Sequence, residues 1–226
     1  MRCSTIKVFA SRSKTTRALE KINSPTKTHK DFQEKLQCPN TNLIITTGPS
    51  GTGKTYTATY EGVRQTVNKR YNKVVITRPT ISTDCENTGF LPGNINKKME
   101  PWLMPIYDTL YQTNTHNLDT IMEIAPISHI RGRTFHDSFI IADEMQNATP
   151  IQMKTLLTRI GENTKIVLTG DLEQSDIIGY NGLEKFVKLY KNFQGDTNDI
   201  CQIEFTKKDI QRSKFCQKIV DIYENM

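Results

Sequence analysis

The chain has 226 residues, of which 30 are basic and 24 acidic, so its formal net charge is +6 at pH 7. This length suits one α/β domain better than two. Five cysteines without a Cys-x-x-Cys pair and four histidines without metal-ligand spacing argue against a disulfide framework and a zinc site. No apolar run approaches the length of a membrane span. We therefore expect free thiols in a reducing compartment, and hence a cytoplasmic protein with no membrane partner.

The positive charge is concentrated at the N-terminus. Residues 1–30 hold eight basic side chains and one acidic one, whereas residues 31–226 hold 22 basic and 23 acidic ones, a net charge of −1. Residues 1–23 are rich in Ser, Thr, Lys and Arg, a composition shared by solvated tails, nucleic-acid-binding arms and transit peptides. Because no amphipathic period runs through them, we interpret residues 1–23 as a flexible basic tail and residues 24–226 as a single folded domain.

The first predicted elements are a helix at Thr28–Leu36 and a strand at Leu43–Thr47. This strand leads directly into Gly-Pro-Ser-Gly-Thr-Gly-Lys-Thr at 48–55. In such a segment, glycines let backbone N–H groups turn inward around a polyphosphate, the lysine adds charge at the outer phosphates, and the last hydroxyl ligates Mg²⁺. The helix that follows, predicted to run to about Asn68, points its positive end at the same anion. The candidate nucleotide-binding residues are Gly48, Pro49, Ser50, Gly51, Thr52, Gly53, Lys54 and Thr55.

The middle of the chain is less informative. A second buried strand is predicted at Lys73–Thr77, where Arg78 and a proline end it. A loop at 80–100, a helix at Pro101–Tyr111 and a short strand at Ile121–Ala125 follow. The basic turn Arg-Gly-Arg-Thr at 131–134 comes next, and its two arginines either bind phosphates bidentately or lie on the surface. The residues alone leave both interpretations open.

Two adjacent carboxylates form the second strong signal. The buried strand that begins at Ser138 ends in Asp143 and Glu144. Asp143 is suited to hold Mg²⁺ through its water shell, and Glu144 to orient and deprotonate a water that attacks the γ-phosphate. A strand at Lys165–Thr169 leads to Gln174, whose neutral amide can donate to phosphate and accept from water. With Lys54, the catalytic candidates from these motifs are Glu144 and Gln174, and the metal candidates are Thr55 and Asp143.

The last predicted elements are a helix from Pro150 to about Ile160 capped by Asn147 or Thr149, a helix at Gly182–Tyr190, a strand at Ile200–Phe205 and a helix at Lys208–Tyr223. Thr206-Lys-Lys-Asp209 fits the loose pattern by which GTPases read guanine. A GTPase also needs Asp-x-x-Gly after a strand, which neither Asp143 nor Asp171 begins. A GTPase therefore remains the less favoured alternative, and paired carboxylates suit water activation better than a kinase.

Several segments in order resemble the PhoH family. They are Gly-Pro-Ser-Gly-Thr-Gly-Lys-Thr at 48–55, Thr-Arg-Pro at 77–79, Gly-Phe-Leu-Pro-Gly at 89–93, Pro-Trp-Leu-Met-Pro-Ile-Tyr-Asp at 101–108, Arg-Gly-Arg-Thr at 131–134, Asp-Glu-Met-Gln-Asn at 143–147, Gln-Met-Lys at 152–154, Thr-Gly-Asp-Leu-Glu-Gln at 169–174 and Asp-Ile-Gln-Arg at 209–212. The resemblance implies a RecA-like P-loop ATPase with a mostly parallel sheet and helices on both faces. It also implies kinship with superfamily 1 helicase motors and action on RNA or single-stranded DNA.

The resemblance assigns further roles by position. Arg78 and Thr134 fall where related helicases contact the nucleic-acid strand, with Arg131 and Arg133 as additional candidates, and Arg212 falls where an arginine reaches the γ-phosphate. The family tends to place an adenine-reading glutamine about nineteen residues before the phosphate loop, where this chain has His29. The choice between ATP and GTP is therefore left open.

Assembly follows from the same resemblance. Superfamily 1 helicases place ATP between two RecA-like domains, and this chain has room for one. We therefore expect a homo-oligomer, for example a hexameric ring, in which Arg212 or one of Arg131 and Arg133 acts across the interface. The expected activity is hydrolysis of ATP with Mg²⁺, coupled to nucleic-acid binding or unwinding. The alternative is a nucleotide-dependent regulatory switch without helicase activity.

Overall fold

The computed structural model describes residues 25–79, 118–177 and 179–211, together with Phe215, Lys218 and Ile222. Its helices and strands are α1 (Lys27–Gln37), β1 (Leu43–Thr47), α2 (Lys54–Val67), β2 (Lys73–Thr77), α3 (Leu118–Ile121), β3 (Met122–Ile124), β4 (Ser138–Ala142), α4 (Pro150–Leu157), β5 (Lys165–Gly170), α5 (Gly182–Asn192) and β6 (Ile200–Glu204). Short 3-10 helices occur at Ile127–His129, Met145–Asn147 and Lys207–Asp209. The predicted tail, the loop at 80–100, the helix at Pro101–Tyr111 and Arg212 lie outside the described residues.

The six strands form one parallel sheet in the order β3-β2-β4-β5-β1-β6. Thr47 at the end of β1 pairs with Gly170 of β5, and Thr77 at the end of β2 pairs with Ala142 of β4. Because all strands point the same way and are in register, the segments that follow β1, β2, β4 and β5 emerge side by side at one edge. Ligands bind at that edge in open parallel sheets.

Helices cover both faces of the sheet, as predicted. On one face α1 and α2 pack against alternate strand residues, with Phe32, Val63 and Phe139 in the core. On the other face α4 and α5 do the same, with Met153 and Leu183. Every residue of β1, β4 and β5 is buried, which explains why these strands read as continuous apolar runs rather than alternating patterns. No helix of the described residues is long and apolar enough to cross a membrane.

Two boundaries predicted near the sheet edge are wrong. The strand expected at Ile121–Ala125 covers only Met122–Ile124, because Ile121 closes the preceding helical turn. The helix expected to reach Ile160 ends at Leu157. The hydroxyl of the next residue, Thr158, donates to the Lys154 carbonyl at 2.9 Å and so satisfies a terminal acceptor of the helix. The predicted cap at Thr149 is confirmed, since its hydroxyl accepts from the Gln152 N–H.

The helix predicted to begin at Lys208 is also wrong at its start. Lys207–Asp209 is a single 3-10 turn, and Ile210 is extended. The Asp209 carboxylate accepts from the backbone N–H of Thr206 at 2.8 Å, which closes this turn as a separate unit. The exit from β6 is therefore a tight turn.

Candidate nucleotide-binding site

A cleft of about 230 Å³ opens at the carboxyl edge of the sheet, between the segments that follow β1, β4 and β5. It brings together five residues that the sequence analysis placed in one site: Lys54, Thr55, Asp143, Glu144 and Gln174. Ser50, Gly51 and Gly53 of the predicted phosphate loop also line it. The cleft further includes Tyr56, Thr169 and Asp171, to which the sequence analysis gave no role.

Backbone geometry explains two of the loop glycines. Gly48 has φ = 133°, and a Cβ there would lie 2.2 Å from the Phe205 carbonyl oxygen, so no side chain fits. Gly53 has φ = 78° and caps the N-terminus of α2 in the left-handed conformation. Glycine takes such angles without strain. The loop therefore bends sharply into α2, whose first residues, Lys54 and Thr55, line the cleft.

Lys54 is the first residue of α2 and is buried within its own loop. Its ammonium donates to the carbonyls of Gly48 at 2.6 Å and Pro49 at 2.8 Å, and to the Thr52 hydroxyl at 3.2 Å. Burial lowers the pKa of Lys54, while nearby negative charges, of which Asp171 contributes most, oppose that shift. The ammonium is thus preorganised at the loop by oxygen acceptors of the kind that a phosphate also presents.

Asp143 is fixed by two hydroxyls. Its Oδ1 accepts from the Thr55 hydroxyl at 2.7 Å and from the Thr169 hydroxyl at the end of β5. The described part of the chain holds no group of three or more His, Cys, Asp or Glu side chains suited to a metal. Mg²⁺ characteristically takes only one or two protein oxygens and completes its shell with water and phosphate. The oxygen pair of Thr55 and Asp143 therefore fits Mg²⁺ bound together with a nucleotide.

Glu144 has an unusual backbone and two side-chain neighbours. Its φ of 53° and ψ of 40° lie in the left-handed region, which is uncommon for a residue other than glycine. One carboxylate oxygen accepts from the side-chain amide of Gln146 at 2.6 Å. The other lies 4.0 Å from the guanidinium of Arg78, which follows β2. Arg78, predicted from the resemblance as a nucleic-acid contact, thus stands beside the candidate base.

Gln174 lies at the rim of the cleft and is exposed. Its backbone N–H donates to the Asp171 carbonyl at 3.2 Å, so the segment after β5 turns back towards the sheet. Asp171 itself is buried, and its carboxylate accepts from the Glu173 N–H at 3.1 Å. The loop therefore presents one buried charge and one exposed amide to the cleft.

The other nucleic-acid candidates do not line the cleft. Arg133 forms an ion pair with Glu123 and packs over the Phe135 ring, with 4.8 Å between guanidinium carbon and ring centroid. Glu123 also pairs with Lys73 at 2.6 Å. Burial acts to raise the pKa of Glu123, but the two cations lower it overall. Arg131 and Thr134 are exposed on the segment before β4. Only Arg78 of this set is brought to the carboxyl edge.

His29 is buried behind the phosphate loop instead of facing the cleft. Its Nε2 donates to the Thr52 carbonyl at 2.9 Å, and its Nδ1 lies 2.7 Å from the Thr26 hydroxyl. The ring packs edge-on against Phe205, with centroids 5.2 Å apart. Both ring nitrogens are thus engaged within the protein, so this arrangement leaves neither available to read a base.

Asp209, the acid of the guanine-reading pattern, is also turned inward. It is 3% exposed. One carboxylate oxygen accepts from the Thr26 hydroxyl at 2.6 Å, and the other from the Thr206 N–H at 2.8 Å. Burial acts to raise the pKa of Asp209, but these hydrogen bonds lower it overall. The carboxylate therefore serves the fold, and the resemblance to a guanine-reading motif is not supported.

A phosphate loop after β1, beside an Asp-Glu pair after β4 of a parallel sheet, defines a RecA-like P-loop protein. The chain belongs to the PhoH-like protein family, whose family model matches residues 21–224. It is 38% identical over 189 residues to a PhoH-like protein of Bacillus subtilis, covering 81% of this chain and 58% of that protein. With a PhoH-like protein of Synechocystis the identity is 34% over 217 residues, covering 92% and 64%.

The chain thus spans about half to two-thirds of the length of the curated relatives it matches. Similar solved structures include the Pif1 helicase from Candida albicans, at 15% identity and a TM-score of 0.44, covering 90% of this chain and 44% of that one. A Sulfolobus solfataricus SWI2/SNF2 ATPase core is similar at 15% identity and a TM-score of 0.43, covering 84% and 47%. Likeness at this level carries no argument about activity.

Proposed function

We propose that this protein binds ATP together with Mg²⁺, hydrolyses it, and couples hydrolysis to RNA or single-stranded DNA. The observation that carries the proposal is the convergence of Lys54, Thr55, Asp143 and Glu144 in one cleft. Together the four cover three tasks of phosphoryl transfer to water. Lys54 would bind phosphate, Thr55 and Asp143 would hold the metal, and Glu144 would activate water. The free thiols of Cys38 and Cys201 fit the cytoplasmic location that we also propose.

Phosphate binding begins at the loop. Lys54 and Thr55, the first residues of α2, line the cleft, and a helix N-terminus favours an anion. Lys54 then exchanges its bonds to the Gly48 and Pro49 carbonyls for bonds to phosphate oxygens. When bound, Mg²⁺ neutralises phosphate charge, and the Thr55 hydroxyl and Asp143 carboxylate are the groups that would hold it.

Glu144 is the residue that we propose to activate the attacking water. A carboxylate accepts a proton from water and orients it for in-line attack on the γ-phosphate. Gln174 at the rim is proposed to contact the γ-phosphate or that water through its amide. Arg212 is proposed to act on the γ-phosphate as well, within the subunit or across an interface. The chain before it approaches the phosphate loop, since the Gln211 N–H donates to the Gly51 carbonyl at 2.9 Å.

Coupling to nucleic acid is proposed to run through Arg78. A guanidinium suits a backbone phosphate, and this one stands 4.0 Å from the Glu144 carboxylate. Binding of a strand phosphate at Arg78 therefore changes the charge next to the catalytic base. Arg131, Arg133 and Thr134 are proposed as outer contacts of the strand or, for the arginines, of a neighbouring subunit in a homo-oligomeric ring.

The test is steady-state hydrolysis of ATP and GTP by the purified protein, alone and with single-stranded RNA or DNA, with Glu144→Gln as the blank. ATP turnover stimulated by nucleic acid supports the proposal and justifies unwinding assays. ATP turnover that does not change when nucleic acid is added favours the alternative of a nucleotide-dependent switch. A preference for GTP would contradict the assignment of ATP. Sedimentation at several protein concentrations tests for the homo-oligomeric ring. A monomer that is fully active at every concentration would contradict the ring.

A further inference from the structure

The side chain of Gln146 connects the candidate base to the loop that follows β5. Gln146 belongs to the 3-10 helix Met145–Asn147, directly after Glu144, and is 2% exposed. Its amide nitrogen donates to Glu144 Oε2 at 2.6 Å, and its amide oxygen accepts from the Asp171 N–H at 3.1 Å. Both ends of one amide are therefore used, the nitrogen by Glu144 and the oxygen by the segment after β5.

The orientation of this amide is dictated by its partners. A backbone N–H can only donate, so the oxygen of Gln146 must face Asp171. The nitrogen must then face Glu144, whose ionised carboxylate can only accept. A Cβ at Gly170 would lie 2.9 Å from the Gln146 oxygen, which shows how closely β5 packs against this amide. The pairing therefore requires a side chain with one donor end and one acceptor end at position 146.

Four further hydrogen bonds join the same two segments. The Gln146 amide nitrogen also donates to the Gln174 carbonyl at 3.5 Å. The Ser175 hydroxyl donates to the Gln146 carbonyl at 3.0 Å. The Asn147 amide donates to the Asp176 carboxylate at 3.0 Å, and the Asp176 N–H donates back to Asn147 at 2.9 Å. The turn at 144–147 and the loop at 171–176 are thus joined at several points along their length.

Among the described residues, the Glu144 carboxylate has few other partners, so it depends on such support. Its side chain is 39% exposed, and Arg78 at 4.0 Å is a distant partner. A glutamate side chain with freely rotating torsions spends only part of its time in the geometry needed to deprotonate a bound water. The hydrogen bond from Gln146 favours one position of the Glu144 carboxylate. Because Gln146 also bonds to the segment after β5, that position is fixed relative to the loop that carries Gln174.

We propose that Gln146 is a positioning residue for hydrolysis, which holds the Glu144 carboxylate in place and ties it to the loop at 171–176. This inference rests on the proposed function, in which Glu144 activates water. Gln146 is buried and does not line the cleft, so its proposed action is through Glu144. A nucleotide that contacts the 171–176 loop would then also affect the position of the Glu144 carboxylate.

The test uses Gln146→Met, which preserves volume but has no amide, in the full chain with MgATP. We expect kcat to fall about ten- to hundredfold, as for a catalytic group displaced by about 1 Å. We expect KM, and the Kd for a fluorescent ATP analogue, to change by less than about twofold. Unchanged kcat, or loss confined to KM, would overturn the proposal.

A double variant separates positioning from mere structural support. In a Glu144→Gln background, adding Gln146→Met should reduce kcat by less than about twofold, because the group being positioned is already inactive. Fully additive losses would overturn the proposal. If Gln146→Met fails to fold by circular dichroism, Gln146→Glu serves instead, since it keeps an acceptor for the Asp171 N–H and opposes the Glu144 carboxylate. It should lower kcat at least as much, and wild-type kcat would overturn the proposal.

The same experiments distinguish an error in the role of Gln146 from an error in the proposed function. If Glu144→Gln retains wild-type turnover, the assignment of Glu144 as the base is itself wrong. If Glu144→Gln is inactive and folded Gln146→Met has wild-type kcat and KM, only the role of Gln146 is wrong.

Discussion

Glu144→Gln is the substitution that most directly tests the proposed chemistry. It removes the carboxylate charge and keeps the shape of the side chain. The new amide still offers an oxygen to the Gln146 nitrogen, which donates to Glu144 at 2.6 Å in the wild type. The side chain should therefore remain in place, so a loss of activity reports lost basicity and not a displaced loop.

The size of the loss follows from comparing two effects. Arg78 and Glu144 are 4.0 Å apart, with side chains 33% and 39% exposed. A pair at this distance in a water-like dielectric contributes about 1 kcal/mol, and exposed pairs often less. Loss of a general base costs about 10²- to 10⁴-fold in rate, or about 3 to 5 kcal/mol. The catalytic effect dominates, so we expect turnover to fall at least about a hundredfold.

Nucleotide binding should survive this substitution. Glu144 is one of three carboxylates whose charge acts on Lys54, and Asp171 and Asp143 remain. Removing one negative charge near the phosphates reduces repulsion, so ATP affinity should be equal to that of the wild type or higher.

The assay is phosphate release at saturating MgATP, with the Kd of a fluorescent ATP analogue measured on the same samples. Glu162→Gln is a matched control, because it makes the same chemical change on an exposed side chain that does not line the cleft. Turnover by Glu144→Gln within about threefold of the wild type would refute the role of Glu144 as base. A parallel fall in affinity would refute the view that the substitution leaves the site intact.

Three further predictions concern the loop, the strand contact and the fold. Lys54→Ala should abolish hydrolysis and weaken MgATP binding at least about tenfold by calorimetry, because the buried ammonium is lost; unchanged affinity would contradict this. Arg78→Ala should lose nucleic-acid stimulation in an ATPase titration with single-stranded RNA, and full stimulation would remove Arg78 from that role. Burial lowers the pKa of Lys165 to about 8, below its unfolded value near 10.5, so the folded state releases this proton first. Between pH 8 and 10 the urea-unfolding free energy of the wild type should therefore rise relative to Lys165→Met, whereas a constant difference would contradict the shift.

The loop and its flanking strand were predictable because their chemistry constrains local sequence. Gly48 and Gly53 stand at positive φ, where only glycine is free of strain, and Lys54 follows at a set spacing. Buried parallel strands likewise read as apolar runs that proline, glycine or charge ends, so Leu43–Thr47 and Lys73–Thr77 match their predictions at both ends. Short edge elements carry no such signal, which is why the strand near Ile121 was misplaced by a residue at each end.

The contacts made by Gln146 had no comparable signal in the sequence. Gln146 and Asp171 are 25 positions apart, and they meet because β4 and β5 are neighbours in the sheet. The same adjacency brings the Thr169 hydroxyl to Asp143, 26 positions away. A sequence pattern identified both segments as polar ends of buried strands. Which side chain of one segment bonds which atom of the other is decided by strand order and register, which local patterns do not encode.

His29, at the place of the family's adenine-reading glutamine, and Asp209, of the guanine-reading pattern, could contact a base only if they were exposed. Both side chains are buried. Reading a base requires a side chain with free hydrogen-bonding atoms in the cleft, yet His29 and Asp209 both bond to Thr26 beneath the phosphate loop. His29 also bonds to the Thr52 carbonyl, so this buried network joins the start of α1, the loop and the turn after β6. Each buried polar atom in this network requires a hydrogen-bond partner. The resulting hydrogen bonds hold the side of the loop that faces away from the cleft. The hydrogen bonds of His29 and Asp209 are therefore accounted for by support of the phosphate loop.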